Sequence, residues 1–209
     1  MSLKYFTVII LSFLTFNSCM MNVKKPVTGV RIETTGTDPN TGVQLSKQQT
    51  IKFVIDSRGH SPNISNQYLS DEEYTATMHG VLNDCFFAQK KRTIVEEIDS
   101  KTTPFRSLID MNSEDPCLLY ISYANFEGKQ YSAGGGNWMN GAYTPGGTNS
   151  YIRTTFTIQV IFYGKFYDQY MVYNEVPAPA SGSHDELIKS VYYNSRTILD
   201  EFYKHIFGY

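Results

Sequence analysis

One segment of the chain, residues 151–164, alternates between two kinds of side chain for more than ten residues. Apart from one threonine, its even-numbered positions are apolar: Ile152, Thr154, Phe156, Ile158, Val160 and Phe162. Its odd-numbered positions are more polar: Tyr151, Arg153, Thr155, Thr157 and Gln159. Because successive side chains of a β-strand point to opposite faces, the pattern predicts a long strand with one buried face. Such a strand fits an antiparallel sheet that is covered on one side.

The rest of the chain supplies further strands and two helices. Strand-like runs occupy residues 27–34, 49–55, 117–123 and 169–176. Each helix begins with the S-x-x-E pattern of a capping box, at Ser70 and at Ser183, and continues with apolar residues three or four positions apart. Residues 93–98 fit a strand and residues 105–111 a helical turn. The sequence predicts an α+β fold, an antiparallel or mixed sheet of about five strands with two helices packed on one face.

The composition supports a folded domain and excludes several classes of protein. The chain is 41% hydrophobic and contains 16 Tyr and 13 Phe, which is enough to form a core. With 18 basic and 20 acidic residues the formal net charge is −2, so the chain lacks the basic surface of a nucleic-acid-binding protein. No apolar run reaches the roughly 18 to 20 residues that a membrane-spanning helix needs.

The N-terminal residues have the pattern of an export signal. Lys4 precedes about twelve mostly apolar residues, which matches the charged and apolar regions of a secretory signal peptide. Cys19 follows directly after the small residue Ser18. This arrangement resembles the lipobox of bacterial lipoproteins, in which signal peptidase II cleaves before a diacylated cysteine. The two residues before Ser18 depart from the usual box, and the alternative is an ordinary secretory signal with an unmodified Cys19.

The resemblance implies a location and a division of the chain. Acylation of Cys19, by palmitate among other chains, implies stable anchoring, since each buried methylene contributes about 0.8 kcal/mol. Met20 rather than Asp follows the cysteine, which in this class implies the outer membrane, with the protein facing the periplasm. Residues 1–18 are then the signal peptide, residues 19–26 the lipidated cysteine and tether, and residues 27–209 a single α+β domain. The layout of that domain also resembles small, uncharacterised envelope lipoprotein domains.

Two further cysteines, Cys85 and Cys117, remain in the chain. An oxidising envelope permits a disulfide between them. The predicted elements are compatible with this pairing, because they place Cys85 near the end of the first helix and Cys117 at the start of the following strand. The alternative is two buried thiols that pack as small hydrophobic side chains.

The segment 127–149 is rich in glycine and aromatic residues. It joins two strong strands and carries Tyr131, Trp138, Met139 and Tyr143, including the only Trp of the chain. Connections longer than about 12 to 15 residues are usually functional or disordered. One interpretation of this composition is a binding loop for a small ligand, a glycan or a peptide. The alternative is a flexible hairpin whose Trp138 folds back onto the sheet.

Motifs for catalysis or metal binding do not occur in the sequence. His184 stands beside Asp185 and Glu186, but acidic residues at a helix start are explained by the helix dipole. Neither an H-x-x-x-H pair nor a G-x-S-x-G motif is present. We expect a lipid-anchored envelope protein with a non-enzymatic binding or assembly-support role, no metal and no cofactor. Its expected partners are the membrane, through the N-terminal lipid, and an envelope protein.

Overall fold

The computed structural model describes residues 25–34, 50–61, 63–64, 67–85, 90–111, 114, 117–132, 137–139, 142–144, 147–180 and 182–207. Its strands are β1 (Arg31–Thr34), β2 (Thr50–Asp56), β3 (His60–Ser61), β4 (Asn63–Ile64), β5 (Gln67–Tyr68), β6 (Arg92–Ile98), β7 (Leu118–Ser132), β8 (Asn137–Met139), β9 (Ala142–Thr144), β10 (Thr148–Phe162) and β11 (Lys165–Pro177). Its helices are α1 (Asp71–Asp84), α2 (Phe105–Met111) and α3 (His184–Phe207). The predicted α+β fold is confirmed.

The main sheet is mixed and open. Its strands follow the order β1-β11-β10-β7-β2-β6, with the short β3 beside β7, so β1 and β6 form the two edges. β11 is antiparallel to β1 and β10, whereas β2 is parallel to both β6 and β7. Parallel neighbours need a crossover connection. Helix α1 lies between β2 and β6 in the chain, and α2 lies between β6 and β7.

The helices cover the two faces of the sheet unequally. Ile152, Phe156 and Val160 of β10 belong to the main core, together with the apolar sides of α1 and α3. The shorter α2 contributes Leu108 to a smaller cluster with Tyr120 on the opposite face. The buried face predicted for residues 151–164 is therefore the face under α1 and α3. The sheet has seven strands rather than about five, and a third helix covers part of the other face.

The predicted position of the tight turn after the long strand is wrong. The predicted strands 151–164 and 169–176 leave residues 165–168 for the connection, but β11 already begins at Lys165, which pairs with Phe162. The turn is formed by Tyr163 and Gly164, whose φ angles are 47° and 67°. Two-residue hairpins favour positive φ at both positions, because that twist matches the twist of the strands. Because a tyrosine occupies the first position, this turn cannot be recognised from its amino-acid composition.

Two buried carboxylates hold the N-terminal edge strand β1 in place. Glu175 Oε2 accepts a hydrogen bond from Val27 N at 2.7 Å. Asp168 accepts bonds from Thr34 Oγ1 at 2.9 Å to each carboxylate oxygen. Both acids are on β11, so they fasten the segment before β1 and the end of β1 to the neighbouring strand.

The chain divides into two compact units. One comprises residues 27–129 and 150–209, and the other comprises residues 1–26 and 130–149. In the second unit the structure describes an antiparallel hairpin of β8 and β9. Among the described residues, no helix combines the length and apolar character required to cross a bilayer.

Candidate functional site

A groove of about 480 Å³ runs between α1 and the end of edge strand β6. Seven residues line it: Ser57, Asp71, Glu72, Thr75, Ala76, His79 and Glu97. Five of them follow one flank of α1, because residues four apart lie one turn above each other on a helix. We call this site the α1–β6 groove.

The N-terminus of α1 is fixed by a complete capping box. Glu73 N donates to Ser70 Oγ at 3.1 Å, and Ser70 N donates to Glu73 Oε2 at 2.9 Å. The predicted box is therefore confirmed. It sets the helix start so that Tyr74 and Met78 point into the core, while Asp71 and Glu72 remain on the groove side.

A histidine–carboxylate contact joins the two walls of the groove. His79 Nε2 lies 2.6 Å from Glu97 Oε1, which connects α1 to β6. A second contact lies beside the groove, where His60 Nε2 is 3.6 Å from Asp71 Oδ1. Within the described part of the chain, no cluster of three or more His, Cys, Asp or Glu has the geometry of a metal site.

His60 is buried below the start of α1. Its ring stacks on Tyr74 with centroids 4.3 Å apart, and its Nε2 also faces Leu69 O at 3.4 Å. Because a carbonyl and a carboxylate both face Nε2, the tautomer with hydrogen on Nε2 is favoured. Among the described residues, Nδ1 of His60 is buried and has no hydrogen-bond partner. Nothing local in the sequence reveals the burial of His60.

A buried carboxylate organises the turn that follows β2. Asp56 Oδ1 accepts hydrogen bonds from Arg58 N at 3.1 Å and from Ser100 N at 3.3 Å. Burial, followed by the charge of Asp56, raises the pKa of Tyr120 to about 12. Gly59 completes the turn, with its N donating to Asp56 O at 3.0 Å. This turn places Ser57 at the end of the groove.

The carboxylate partner of His184 is not one of the acidic residues beside it in the sequence. Its Nε2 lies 2.7 Å from Glu73 Oε1, so the contact joins the starts of α3 and α1. The backbone hydrogen bond from Ser70, and then His184, lower the pKa of Glu73. Ser70 Oγ accepts the N–H of Glu73 as the helix cap. The arrangement therefore holds the two helix starts together.

Side chains on the more polar face predicted for the long strand make contacts within the sheet. The guanidinium of Arg153 stacks on the ring of Tyr173 at 4.2 Å, and Tyr173 Oη donates to Glu33 Oε1 at 2.8 Å. Gln159 Nε2 donates to Gln169 Oε1 at 3.1 Å. These cross-strand contacts tie β10, β11 and β1 together and give the face a structural role.

The other predicted site residues fall in three places. Cys19 lies outside the described residues. Tyr131 is half-buried near the end of β7, which extends further than the predicted strand at 117–123. In the hairpin, Trp138 is opposite Tyr143 and Met139 is opposite Ala142, while the side chains of these residues lie outside the described part. The binding role of this segment stays a prediction.

Cys85 and Cys117 are free thiols in the structure, and both are buried in the main core. Burial raises the pKa of Cys85 strongly and that of Cys117 to about 12. Because the thiolate is the reactive species, a raised pKa makes both cysteines poor nucleophiles near neutral pH.

We expect native protein to resist iodoacetamide at both positions at pH 8. Unfolding in guanidinium without reductant should return both thiols to an ordinary pKa and expose them. Peptide mass mapping should then find Cys85 and Cys117 alkylated. Unfolded protein that gains label at these positions only after reduction would show a disulfide in place of the free thiols.

The sequence of the chain matches no protein-family model and no curated protein. A PelC dodecamer from Paraburkholderia phytofirmans aligns with 9% identity and a TM-score of 0.38, over 82% of this chain and 96% of that one. A neuraminyllactose-binding hemagglutinin homolog from Helicobacter pylori aligns with 12% identity and a TM-score of 0.40, over 88% and 89% of the two chains. Neither likeness is close enough to support an inference about this chain.

Proposed function

We propose that the protein is a non-enzymatic lipoprotein of the bacterial envelope, and that it binds a partner protein through the α1–β6 groove. Acyl chains on Cys19 anchor it to the outer membrane, with the domain facing the periplasm. The groove is the single observation that carries the binding role. It combines a volume of about 480 Å³ with three carboxylates, from Asp71, Glu72 and Glu97.

The length of the chain between Cys19 and Val27 supports anchoring close to the membrane. Cys19 and Val27 are eight residues apart, so an extended chain between them spans at most about 29 Å. Val27 is itself held by the buried Glu175. An anchor at Cys19 therefore keeps the sheet within reach of the membrane surface and confines any partner to the same layer.

The histidine–carboxylate contacts join structural elements, which supports a binding role rather than catalysis. His184 and Glu73 tie two helix starts together, and His79 and Glu97 tie α1 to β6. Each pair spans two elements, as contacts that maintain a fold do. The groove walls are thereby held at a fixed spacing, which favours recognition because less ordering entropy is lost on binding.

Two substitutions test the two halves of this proposal. Cys19→Ala should abolish metabolic palmitate labelling and move the protein from the membrane fraction to the soluble fraction, since no acyl chains remain to be buried. Ala76→Arg places a long side chain in the groove, so it should leave labelling intact but remove the proteins crosslinked to the wild type in intact envelopes. Palmitate labelling, fractionation and crosslinking mass spectrometry measure these outcomes.

A matched control separates blocking of the groove from general damage to α1. Asn83→Arg introduces the same side chain at an exposed position of the same helix, outside the groove, and should retain the crosslinked proteins. Palmitate on the Cys19→Ala variant would end the lipoprotein proposal. An unchanged crosslinking pattern for Ala76→Arg would end the binding role of the groove.

A further inference from the structure

Edge strand β6 presents backbone groups on the side away from β2. Ser57 N donates to Ile98 O at 2.9 Å, so the backbone of Ile98 faces β2. Along a strand, the N–H and C=O of one residue point to the same side, and the next residue points to the other. Thr93, Val95 and Glu97 therefore face outward. Among the described strands, only β2 pairs with β6.

The α1–β6 groove lies beside this outward edge. Glu97 belongs to both, since its backbone faces outward and its side chain lines the groove. A strand edge next to the flank of a helix is the setting in which extended peptides add to a sheet. Backbone hydrogen bonds then supply affinity, and the groove receives alternate side chains of the added strand.

The charges of the groove indicate which side chains it accepts. In the described part of the chain, no Lys or Arg forms an ion pair with Asp71 or Glu72. The contact that Asp71 makes is with His60, at 3.6 Å. Glu97 has His79 as its neighbour. Both residues are exposed, so their carboxylates can meet an external cation, and complementary charge selects the partner more than it adds affinity.

We propose that an extended segment of a partner protein adds to the outer edge of β6 and places Lys or Arg side chains in the α1–β6 groove. This inference rests on the proposed binding role of the groove and specifies the class of its partner. The segment lies with its backbone against Val95 and Glu97. Its basic side chains lie beside Asp71 and Glu72.

Blocked synthetic peptides test this mode of binding on the full-length, detergent-solubilised protein. The probe is a fluorescent peptide of alternating Lys and Val, about eight residues long, which is enough to span the 7 residues of β6. We expect it to bind about tenfold more tightly than the same peptide with Glu in place of Lys. N-methylation of alternate amides of the peptide, on the edge that faces β6, removes its hydrogen-bond donors and should weaken binding about tenfold. Fluorescence anisotropy measures the affinities.

Hydrogen exchange and charge variants locate the peptide. The amides of Val95 and Glu97 should exchange more slowly when the Lys peptide is bound, because they then donate to it. The double variant Asp71→Asn with Glu72→Gln should weaken binding about tenfold. Asp185→Asn removes the same type of charge from another helix start, outside the groove, and should leave the affinity unchanged.

The results separate this inference from the proposed function. Absence of binding, equal affinity for the Glu peptide, or protection that misses residues 92–98 would overturn strand addition. If Ala76→Arg nevertheless removes the crosslinked partner, the groove still binds a protein, but in another way. If Ala76→Arg leaves both the crosslinked proteins and peptide binding unchanged, the groove is not the binding site. Its proposed binding role and the proposed strand addition are then both overturned.

Discussion

Replacement of Phe126 by Ala should lower the free energy of unfolding by about 3–5 kcal/mol. Phe126 is fully buried on β7. Its ring makes an edge contact with Phe156 at 6.2 Å and a tilted contact with Tyr74 at 6.2 Å. Truncation removes apolar contacts and leaves a cavity between the sheet and α1, which the surrounding side chains fill only in part. Urea denaturation followed by circular dichroism measures the loss.

An exposed phenylalanine provides the control for this substitution. Phe166 is 49% exposed, and its ring makes an edge contact with Phe105 at 6.3 Å. Phe166→Ala should cost less than about 1 kcal/mol, because little apolar surface is buried there. The prediction fails if the two variants have the same unfolding midpoint.

Replacement of Gly59 by Ala should destabilise the fold by about 3 kcal/mol, although it adds one methyl group. A Cβ at this position would lie 2.5 Å from the backbone oxygen of Ser122 and 3.0 Å from Cβ of Asp56. The neighbour is backbone, so relief of the clash must move β7. That movement strains the 2.6 Å hydrogen bond from Ala124 N to Gly59 O. Denaturant unfolding of purified variants checks the size of the effect.

Gly147 is the matched position for the same change. A Cβ there meets none of the described residues within 4 Å, so Gly147→Ala should change stability by only a few tenths of a kcal/mol. Near-identical stability for Gly59→Ala and wild type would mean that the close approach of Gly59 to the backbone of Ser122 does not constrain the fold. Because Gly59 also precedes the buried His60, the variant should also weaken the packing of the His60 ring on Tyr74.

The secondary structure was predictable where local rules act alone. The alternation in residues 151–164 predicted β10 and identified its buried face, and the capping box predicted the start of α1. Both patterns depend on residues within a few positions of each other. The turn at Tyr163 and Gly164 was missed because a tyrosine with positive φ leaves no compositional signal. Tertiary pairing of the two strands fixes that backbone.

The candidate site was not predictable in the same way. His184 was considered with its neighbours in sequence, but its partner is Glu73, 111 positions away. His79 and Glu97 were assigned to separate elements, and only the crossover from α1 to β6 brings them to 2.6 Å. Asp168 was expected in the connection at 165–168 and Glu175 in the strand that follows, yet both are buried because β1 pairs beside them.

The sequence by itself determined the class of fold, the long strand and its buried face, because periodicity and capping are local consequences of backbone geometry. Only the tertiary structure decided the strand order, the parallel pairing of β2 with β6 and the edge beside the groove. Strand order depends on which apolar faces meet across long separations in the chain. No local pattern encodes that choice, and so the groove between α1 and β6 became visible only in the folded protein.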